Sequence, residues 1–361
     1  MSHFLVVGGG IIGLLTAREL VGAGADVTLV EMGETGRESS WAGGGIISPL
    51  YPWHYAESVN RLASWSQREY PELCAELFQE TGTDAEHIRS GLLILDQEEQ
   101  EAALSWAAAN HARIDSLDGA ALRDKEPGLG PQPSMALLMP EIAQIRSPRL
   151  TKALRQSIEK RVDVREQEEV VELLVDVGRV TGVKTRLGAI QADRVVVCTG
   201  AWTAKLLERL GGKPDIQPVR GQMILFYATP GQVHHIALYH ERYVIPRRDG
   251  RVLVGSTLEH TGFAKVTTAE AKEELYRSAV EIFPFLKRTP IEDHWAGLRP
   301  GSPSGIPYIG AYPGFEGLYI NAGHFRNGLV TGPASARLVA DIMLDRNPIM
   351  DPAPYALDAH R

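Results

Sequence analysis

Three glycines close to the start of the chain, Gly8, Gly10 and Gly13, have the spacing G-x-G-x-x-G. This spacing supplies one glycine for a tight turn, one where backbone can approach a pyrophosphate, and one where a helix packs closely on a strand. Glu31 lies 23 residues after Gly8, about where an acid can bind the hydroxyls of a ribose. Together these residues indicate dinucleotide binding, and the charge of Glu31 disfavours a 2′-phosphate, hence NADP.

The segment that must position these residues has the pattern strand, helix, strand. "HFLVV" is a short apolar strand, "IIGLLTARELVGAG" has apolar residues at helical spacing, and "DVTLVE" is a second strand that ends in Glu31. The free N–H groups and the positive dipole end at the helix start favour phosphate there. A secretion signal needs positive charge before its apolar core, and a membrane helix needs about 20 apolar residues. Neither fits, since only Ser2 and His3 precede the core and Arg18 and Glu19 interrupt it.

Composition excludes several classes of protein. A net charge of −8 and a pI of about 5.8 over 361 residues argue against a nucleic-acid partner, because binding one requires a dense basic patch. Two cysteines exclude a disulfide framework or a cysteine zinc site, and Cys198, in an apolar strand, is expected to be a small buried side chain. The histidines at 234, 235 and 240 lack the spacing of a zinc motif, and no G-x-S-x-G is present, so neither a metal nor a hydrolase site is predicted.

Two further glycine-rich stretches favour a flavin over a nicotinamide. "GRESSWAGGGIIS" contains Arg37, Ser39 and Ser40 followed by three consecutive glycines, 43–45, which suit close contact between backbone and a flat ligand. "GLYINAGHFRNGLVTGPASARLVADIML" reads as strand, glycine-rich loop and helix, with the helix beginning near 328–333. A helix N-terminus there would favour the negative charge of a reduced flavin.

These stretches together are similar to the D-amino-acid oxidase family of FAD enzymes. The resemblance is carried by the N-terminal glycines, "RESSWAGGG", "VVVCTGAWT", "WAGLRPGSPSGIPYIG" and "GHFRNG", and extends over essentially the whole chain. It implies a non-covalent FAD, because covalent members of the family use a cysteine late in the chain and none follows Cys198.

The resemblance also implies which residues hold the cofactor. His324 is expected to pack or to bond backbone rather than to act in catalysis. The implied cofactor-binding residues are Gly8, Gly10, Ile12, Gly13, Glu31, Arg37, Ser39, Ser40, Gly43, Gly44, Val170, Thr199, Gly200, Trp202, His324, Arg326, Asn327, Gly328 and Leu329.

Four residues are implied to bind substrate. Arg299, in "AGLRPGS", aligns with the family's carboxylate-binding arginine, and its planar fork matches two carboxylate oxygens. Tyr243 would donate to the same carboxylate, Arg326 would close the pocket or bind substrate, and Leu258 would line the cavity and favour small substrates. No acid or base is assigned, because a desolvated pocket beside two arginines lowers the pKa of the substrate amine.

The fold that the resemblance implies is α/β, with two interleaved domains. A Rossmann-type FAD-binding domain, built on the G-x-G-x-x-G βαβ unit, would comprise 1–88, 141–217 and 297–361. An α+β substrate-binding domain on an antiparallel sheet would comprise 89–140 and 218–296. Sequence cues are turns at Val177-Gly178 and Leu187-Gly188 in a β-meander and a hairpin at Asp249-Gly250.

The implied activity is oxidative deamination of glycine and small amines such as sarcosine and D-alanine. Hydride would pass to FAD and electrons to O2, giving an imine or glyoxylate, ammonia and hydrogen peroxide. The resemblance further implies a cytoplasmic homo-oligomer (a tetramer), without a membrane partner, and a role in making the thiazole of thiamine with thiazole synthase downstream.

Three alternatives remain open. The chain could be a sarcosine or D-amino-acid oxidase with another substrate preference, or a dehydrogenase that feeds quinones. A dehydrogenase would be expected to associate with a membrane, and no basic amphipathic segment is apparent. In a non-enzymatic FAD-binding protein, Arg299 and Tyr243 would have no shared task.

Overall fold

The first 30 residues form the βαβ unit that the glycine spacing predicts. The computed structural model describes residues 2–131, 134–211 and 214–360. Strand β1 spans His3–Val7, helix α1 spans Ile11–Gly22 and strand β2 spans Asp26–Val30, with β1 and β2 paired in parallel. A Cβ atom on Gly13 would lie 1.8 Å from the carbonyl oxygen of Gly8, so α1 approaches the preceding turn only because residue 13 has no side chain.

Strands and helices alternate along the rest of the chain. Up to residue 160 the elements are α2 (Glu38–Ala42), α3 (Glu57–Thr81), β3 (Leu92–Ile94), α4 (Gln100–Asn110), β4 (Asp115–Asp118), α5 (Gly119–Lys125), β5 (Met135–Met139) and α6 (Ser147–Ile158). They are followed by β6 (Asp163–Arg165), β7 (Val170–Asp176), β8 (Arg179–Thr185), β9 (Ala189–Gln191), β10 (Arg194–Val197), α7 (Thr203–Leu207), β11 (Gln217–Tyr227), β12 (Ile236–Tyr239), β13 (Arg242–Pro246), β14 (Arg251–Gly255), α8 (Ala269–Ile282), β15 (Ile291–Gly301), β16 (Tyr308–Ala311), β17 (Leu318–Ala322) and α9 (Gly332–Met343).

A six-stranded sheet carries the βαβ unit at its centre. Its strand order is β16-β17-β10-β1-β2-β6, parallel except for the antiparallel pair β16 and β17. Phe4 and Val6 of β1 pack with α1, α3, α6 and α9, whereas Leu5 and Val7 pack with the three-stranded sheet β7-β8-β9. Because both faces are covered, the central strands are continuous apolar runs.

An eight-stranded sheet forms the second layer that reaches the site. Its order is β15-β11-β14-β13-β12-β3-β5-β4, antiparallel except where β12 lies parallel to β3. Side chains of β13 alternate between two cores: Tyr243 and Ile245 lie on one face and Val244 on the other. The α8 residues Leu275 and Ala279 cover the Val244 face.

The α/β fold class and the Rossmann-type unit are confirmed, as are the turns at Val177-Gly178, Leu187-Gly188 and Asp249-Gly250. The predicted domain boundary at 296/297 falls inside β15, since that strand pairs with β11 from residue 291 to Gly301. The remaining division of the chain stays a prediction.

Within the described ranges, every helix is too short or too polar to cross a bilayer.

Gly13→Ala should destabilise the fold severely. The added methyl group would overlap the Gly8 carbonyl, so α1 would have to move off β1; we expect a loss of about 3 kcal/mol or more. Thermal unfolding and the yield of folded protein measure this. Gly22→Ala, in the same helix with nothing within 4 Å of the added Cβ, is the control and should stabilise by about 0.5–1 kcal/mol. Equal stability of the two variants would contradict the packing argument.

Candidate active site

A cavity of about 440 Å³ lies where the six-stranded and eight-stranded sheets meet. It begins at the β1–α1 turn and the end of β2, continues past α2 and the glycines 43–45, and reaches β13, β15 and the loop 324–329. In an open α/β sheet, the carboxyl ends of the strands are the usual place for a ligand crevice.

Glu31 lies at one end of this cavity. Its carboxylate accepts hydrogen bonds from the backbone N–H groups of Gly9 at 2.6 Å and Gly33 at 2.9 Å. Burial raises the pKa of Glu31, and these two N–H groups oppose that rise. Ser40 contributes a second contact, because its Oγ accepts the N–H of Ile11 at the start of α1, at 2.8 Å. The side chains of Glu31 and Ser40 thus fix the turn at the start of α1, and the glycines of this turn line the cavity.

The glycines 43–45 are held from behind by a buried arginine. Arg247 donates to the carbonyl oxygens of Gly44 at 2.6 Å and Ile145 at 3.2 Å, and to Oε1 of Gln144 at 2.8 Å. A Cβ on Gly44 would lie 2.9 Å from Cδ1 of Ile245 and 3.1 Å from the ring of Tyr243, so the absence of a side chain at residue 44 lets the chain pass close to β13. Arg247 is a site residue to which no sequence pattern pointed.

Arg299 enters the cavity from β15 and lies over Gly221 of the neighbouring strand. Its Nη1 donates to the carbonyl oxygen of Thr257 at 3.1 Å, and its Nη2 donates to Oγ of Ser256 at 2.5 Å. A Cβ on Gly221 would lie 2.2 Å from Nη1. A glycine inside a strand marks a close approach, which is the sequence signal that could have pointed to Gly221.

The charge of Arg299 has no acidic partner among the described residues. Burial lowers the pKa of Arg299, Tyr243 raises it and the nearby charge of Arg326 lowers it further. Tyr243 is 7% exposed, and its ring would lie within 2.8 Å of a Cβ on Gly255. A partly buried guanidinium with only neutral acceptors can bind a carboxylate.

The loop before α9 supplies the remaining polar groups. His324 is buried, its Nε2 lies 3.1 Å from Oγ of Ser335, and burial lowers the pKa of its imidazole to about 3. The ring is therefore neutral, and this geometry favours the packing role expected of it. Asn327 is also buried and lines the cavity, and its Nδ2 has no hydrogen-bond partner among the described residues.

Most of the residues that the sequence singled out come together here. The structure places in the cavity wall Gly8, Gly10, Ile12, Glu31, Arg37, Ser39, Ser40, Gly43, Gly44, Val170, Thr199, Gly200, Trp202, Tyr243, Arg299, His324, Arg326, Asn327, Gly328 and Leu329. Gly13 lies behind the wall, where it permits helix packing. Met223, Gly221 and Ser256 are wall residues that sequence reasoning missed.

The expectation for Leu258 is corrected by the structure. Its side chain is 43% exposed and lies outside the cavity wall. The preceding Thr257 points inward, where its Oγ1 accepts the N–H of Gln222 at 2.9 Å and donates to Glu259 at 2.5 Å. Neighbours in an extended segment point to opposite sides, so Leu258 faces solvent.

The cavity fits a dinucleotide with a flat ring at its far end. Glu31 and the start of α1 suit the ribose and pyrophosphate. The bare backbone at Gly44 lies beside Tyr243 and suits a flat ring, and the unpartnered Asn327 amide offers it a hydrogen bond.

Comparison with known proteins agrees with this geometry. A sequence model of the family described as "DAO: FAD dependent oxidoreductase" matches residues 3–342. The glycine oxidase of Pseudomonas aeruginosa is 51% identical over 98% of both chains. A bifunctional protein ThiO/ThiG of Trichormus variabilis is 31% identical over 95% of this chain and 52% of its own length.

The fold of this chain also matches that of a solved glycine oxidase structure. The crystal structure of glycine oxidase from Geobacillus kaustophilus superimposes with a TM-score of 0.95, covering all of both chains at 27% identity. The match runs through both sheets that enclose the cavity. The chain belongs to the DAO family of FAD dependent oxidoreductases, and its cofactor is FAD.

Proposed function

We propose that this chain oxidises glycine and small amines such as sarcosine and D-alanine, with O2 as the electron acceptor. The observation that carries the proposal is the partly buried guanidinium of Arg299, which has neutral acceptors on one side and the cavity on the other. The relatives named glycine oxidase support the same substrate class. Glycine loses a hydride and a proton to give an imine, O2 takes up the two electrons and two protons to become hydrogen peroxide, and water converts the imine into glyoxylate and ammonia.

The residues of the chain bind and orient the substrate. Arginine has five N–H donors, and the bonds to Thr257 and Ser256 leave others for a carboxylate. Tyr243 lies beside the guanidinium, where its hydroxyl opposes the fall in the pKa of Arg299 and lies 3.9 Å from the sulfur of Met223. Bound FAD supplies the hydride acceptor. Anchoring the carboxylate at two points places the carbon to be oxidised reproducibly, which is the main contribution the protein can make.

No side chain is proposed as the base. The imidazole of His324 is neutral and bonded to Ser335. The partly buried charges of Arg299 and Arg326 disfavour another cation nearby, so they lower the pKa of the substrate ammonium. The neutral amine, from which hydride can leave, is then populated at a lower pH than in water.

Other features of the assignment stay predictions. A different preference within the family, for sarcosine or other D-amino acids, or an acceptor other than O2, remains an alternative. The relative named ThiO/ThiG has about half its length beyond the matched region, which supports transfer of the product to a thiazole synthase. A cytoplasmic homotetramer is likewise a prediction.

Anaerobic reduction tests the proposed function directly. Purified holoenzyme is mixed without oxygen with glycine, sarcosine, D-alanine, D-proline or L-proline, and the loss of flavin absorbance is followed. We expect reduction by the small amino acids, and hydrogen peroxide when oxygen is restored. A flavin that stays oxidised with all five would refute the proposal, and reduction without peroxide would indicate a dehydrogenase.

Arg299→Ala should remove substrate binding and keep the cofactor. Loss of two charge-assisted hydrogen bonds, at about 1.5–3 kcal/mol each, lowers kcat/KM for glycine about 10²- to 10⁴-fold. Steady-state kinetics and the flavin content of the purified variant measure both effects. Arg248→Ala, which removes an exposed arginine paired with Asp84, is the control. If Arg299→Ala loses its FAD, the residue is structural and the assignment is wrong.

Gly221→Ala should displace the guanidinium without removing it. The new Cβ would overlap Nη1 and Nη2 of Arg299, and a displacement of this size lowers kcat/KM about 100-fold. Flavin content should stay at the wild-type level. Wild-type kinetics would show that Arg299 has another productive position.

Glu31→Gln should weaken the binding of FAD and leave the reaction with substrate unaffected. The carboxylate loses its charge at the proposed ribose contact, and we expect the Kd for FAD to rise about tenfold, measured by titrating apoprotein with FAD. At saturating FAD, the KM for glycine should be unchanged. Glu72→Gln, on the exposed side of α3, is the control. An altered KM for glycine with unchanged FAD affinity would show that Glu31 does not bind the cofactor.

A further inference from the structure

The turn between β12 and β13 contains two residues in a backbone conformation that their side chains disfavour. Tyr239 pairs with Arg242 across the hairpin, so His240 and Glu241 form a two-residue turn. Their φ angles are 47° and 61°, as in a type I′ turn, which favours Asn-Gly or glycine. His and Glu at these positions are less favourable than glycine, which points to a role for their side chains.

Two buried side chains hold this turn in place. Asp96 accepts the backbone N–H of His240 at 2.8 Å and the hydroxyl of Tyr51 at 2.7 Å. The hydroxyl oxygen of Tyr51 in turn accepts the N–H of Glu241 at 3.4 Å. Asp96 is 4% exposed and Tyr51 7%, so both backbone N–H groups of the turn are bound to buried groups. The position from which the Glu241 side chain extends is therefore well defined.

From this position Glu241 reaches Arg326. Oε1 of Glu241 lies 3.8 Å from Nη1 of Arg326. The Arg326 side chain is 17% exposed and lines the cavity, whereas that of Glu241 is 62% exposed. Arg326 is close enough to Arg299 to lower its pKa. The cavity thus contains two guanidiniums, and the second one has an acidic neighbour at its exposed side.

We infer that Glu241 determines which amino acids the cavity accepts. A substrate with one carboxylate needs one guanidinium, and in the proposed function that guanidinium belongs to Arg299. A second anionic group would meet Arg326, whose charge Glu241 partly neutralises, and would be repelled by the Glu241 carboxylate. The cavity therefore discriminates against dicarboxylic amines. This inference rests on the proposed function, because it assumes that the substrate carboxylate binds at Arg299.

A binding experiment tests the inference without turnover. Methoxyacetate and 2,2′-oxydiacetate are ether analogues of a monocarboxylic and a dicarboxylic amine, and both are titrated into the FAD-loaded wild type and the Glu241→Gln and Glu241→Lys variants. Calorimetry or the change in the flavin spectrum gives each Kd. We expect the preference to shift toward the dicarboxylate by about fivefold in Glu241→Gln and by more in Glu241→Lys. High salt should reduce the shift.

A charge on the same surface provides the control. Glu98 is 66% exposed and lies 3.9 Å from Nδ1 of His240, so Glu98→Gln removes a nearby charge and leaves the pair between Glu241 and Arg326 intact. The inference requires the wild-type preference in this variant. It is overturned if the Glu241 variants keep the wild-type preference, if Glu98→Gln shifts it equally, or if neither ligand binds the wild type.

Turnover separates this inference from the proposed function. The ratio of kcat/KM for iminodiacetate to that for sarcosine should rise in the order Glu241, Glu241→Gln, Glu241→Lys. If no amino acid reduces the flavin but the ligand preference still shifts, the proposed function fails and the role of Glu241 in anion selection stands. If glycine and sarcosine are oxidised and the ratio does not move, only the role of Glu241 is rejected.

Discussion

The site depends on a partly buried positive charge, that of Arg299, which no acidic side chain of the described residues neutralises. Removing a guanidinium from water is costly unless its donors are satisfied, and Arg299 is satisfied by neutral groups, the carbonyl of Thr257 and the hydroxyl of Ser256. These bonds hold the fork in place and leave its charge available. In the proposed function, an incoming carboxylate gains charge-assisted bonds that no acidic side chain of the described residues takes up, and these bonds compensate for the small apolar surface of a small amino acid.

Absent side chains are as important to this arrangement as those that are present. Gly221 leaves the space that the guanidinium occupies, Gly44 lets the chain pass the ring of Tyr243, and Gly13 lets α1 approach the cofactor turn. Each position joins a different pair of segments: Gly221 joins β11 and β15, Gly44 joins the segment after α2 and β13, and Gly13 joins α1 and the turn after β1. The eight-stranded sheet therefore places Arg299 and Tyr243, the proposed substrate-binding side chains, at the edge of the six-stranded sheet that carries the nucleotide turn.

How much could be predicted differs between local and distant contacts. The βαβ unit follows from residues close together in sequence, since the glycine spacing, the apolar periodicity and Glu31 all lie within one segment. The hairpin at Asp249-Gly250 and the meander turns are local in the same way, and the structure confirms them. Leu258 was misplaced because the inward position is occupied by Thr257, whose bond to Gln222 depends on a strand more than 30 residues away. The predicted boundary at 296/297 fell inside β15 because pairing with β11, not composition, decides where that strand ends.

The amino-acid sequence alone determined the nucleotide turn, the positions of the short apolar strands and, through family resemblance, the likeness to FAD enzymes, because these are encoded in neighbouring residues. Only the tertiary structure decided that Arg299 lies over Gly221, that Arg247 holds Gly44 from behind, and that Glu241 reaches Arg326. Each of these contacts joins residues far apart along the chain. Their geometry follows from strand register and sheet packing, which are properties of the folded chain as a whole.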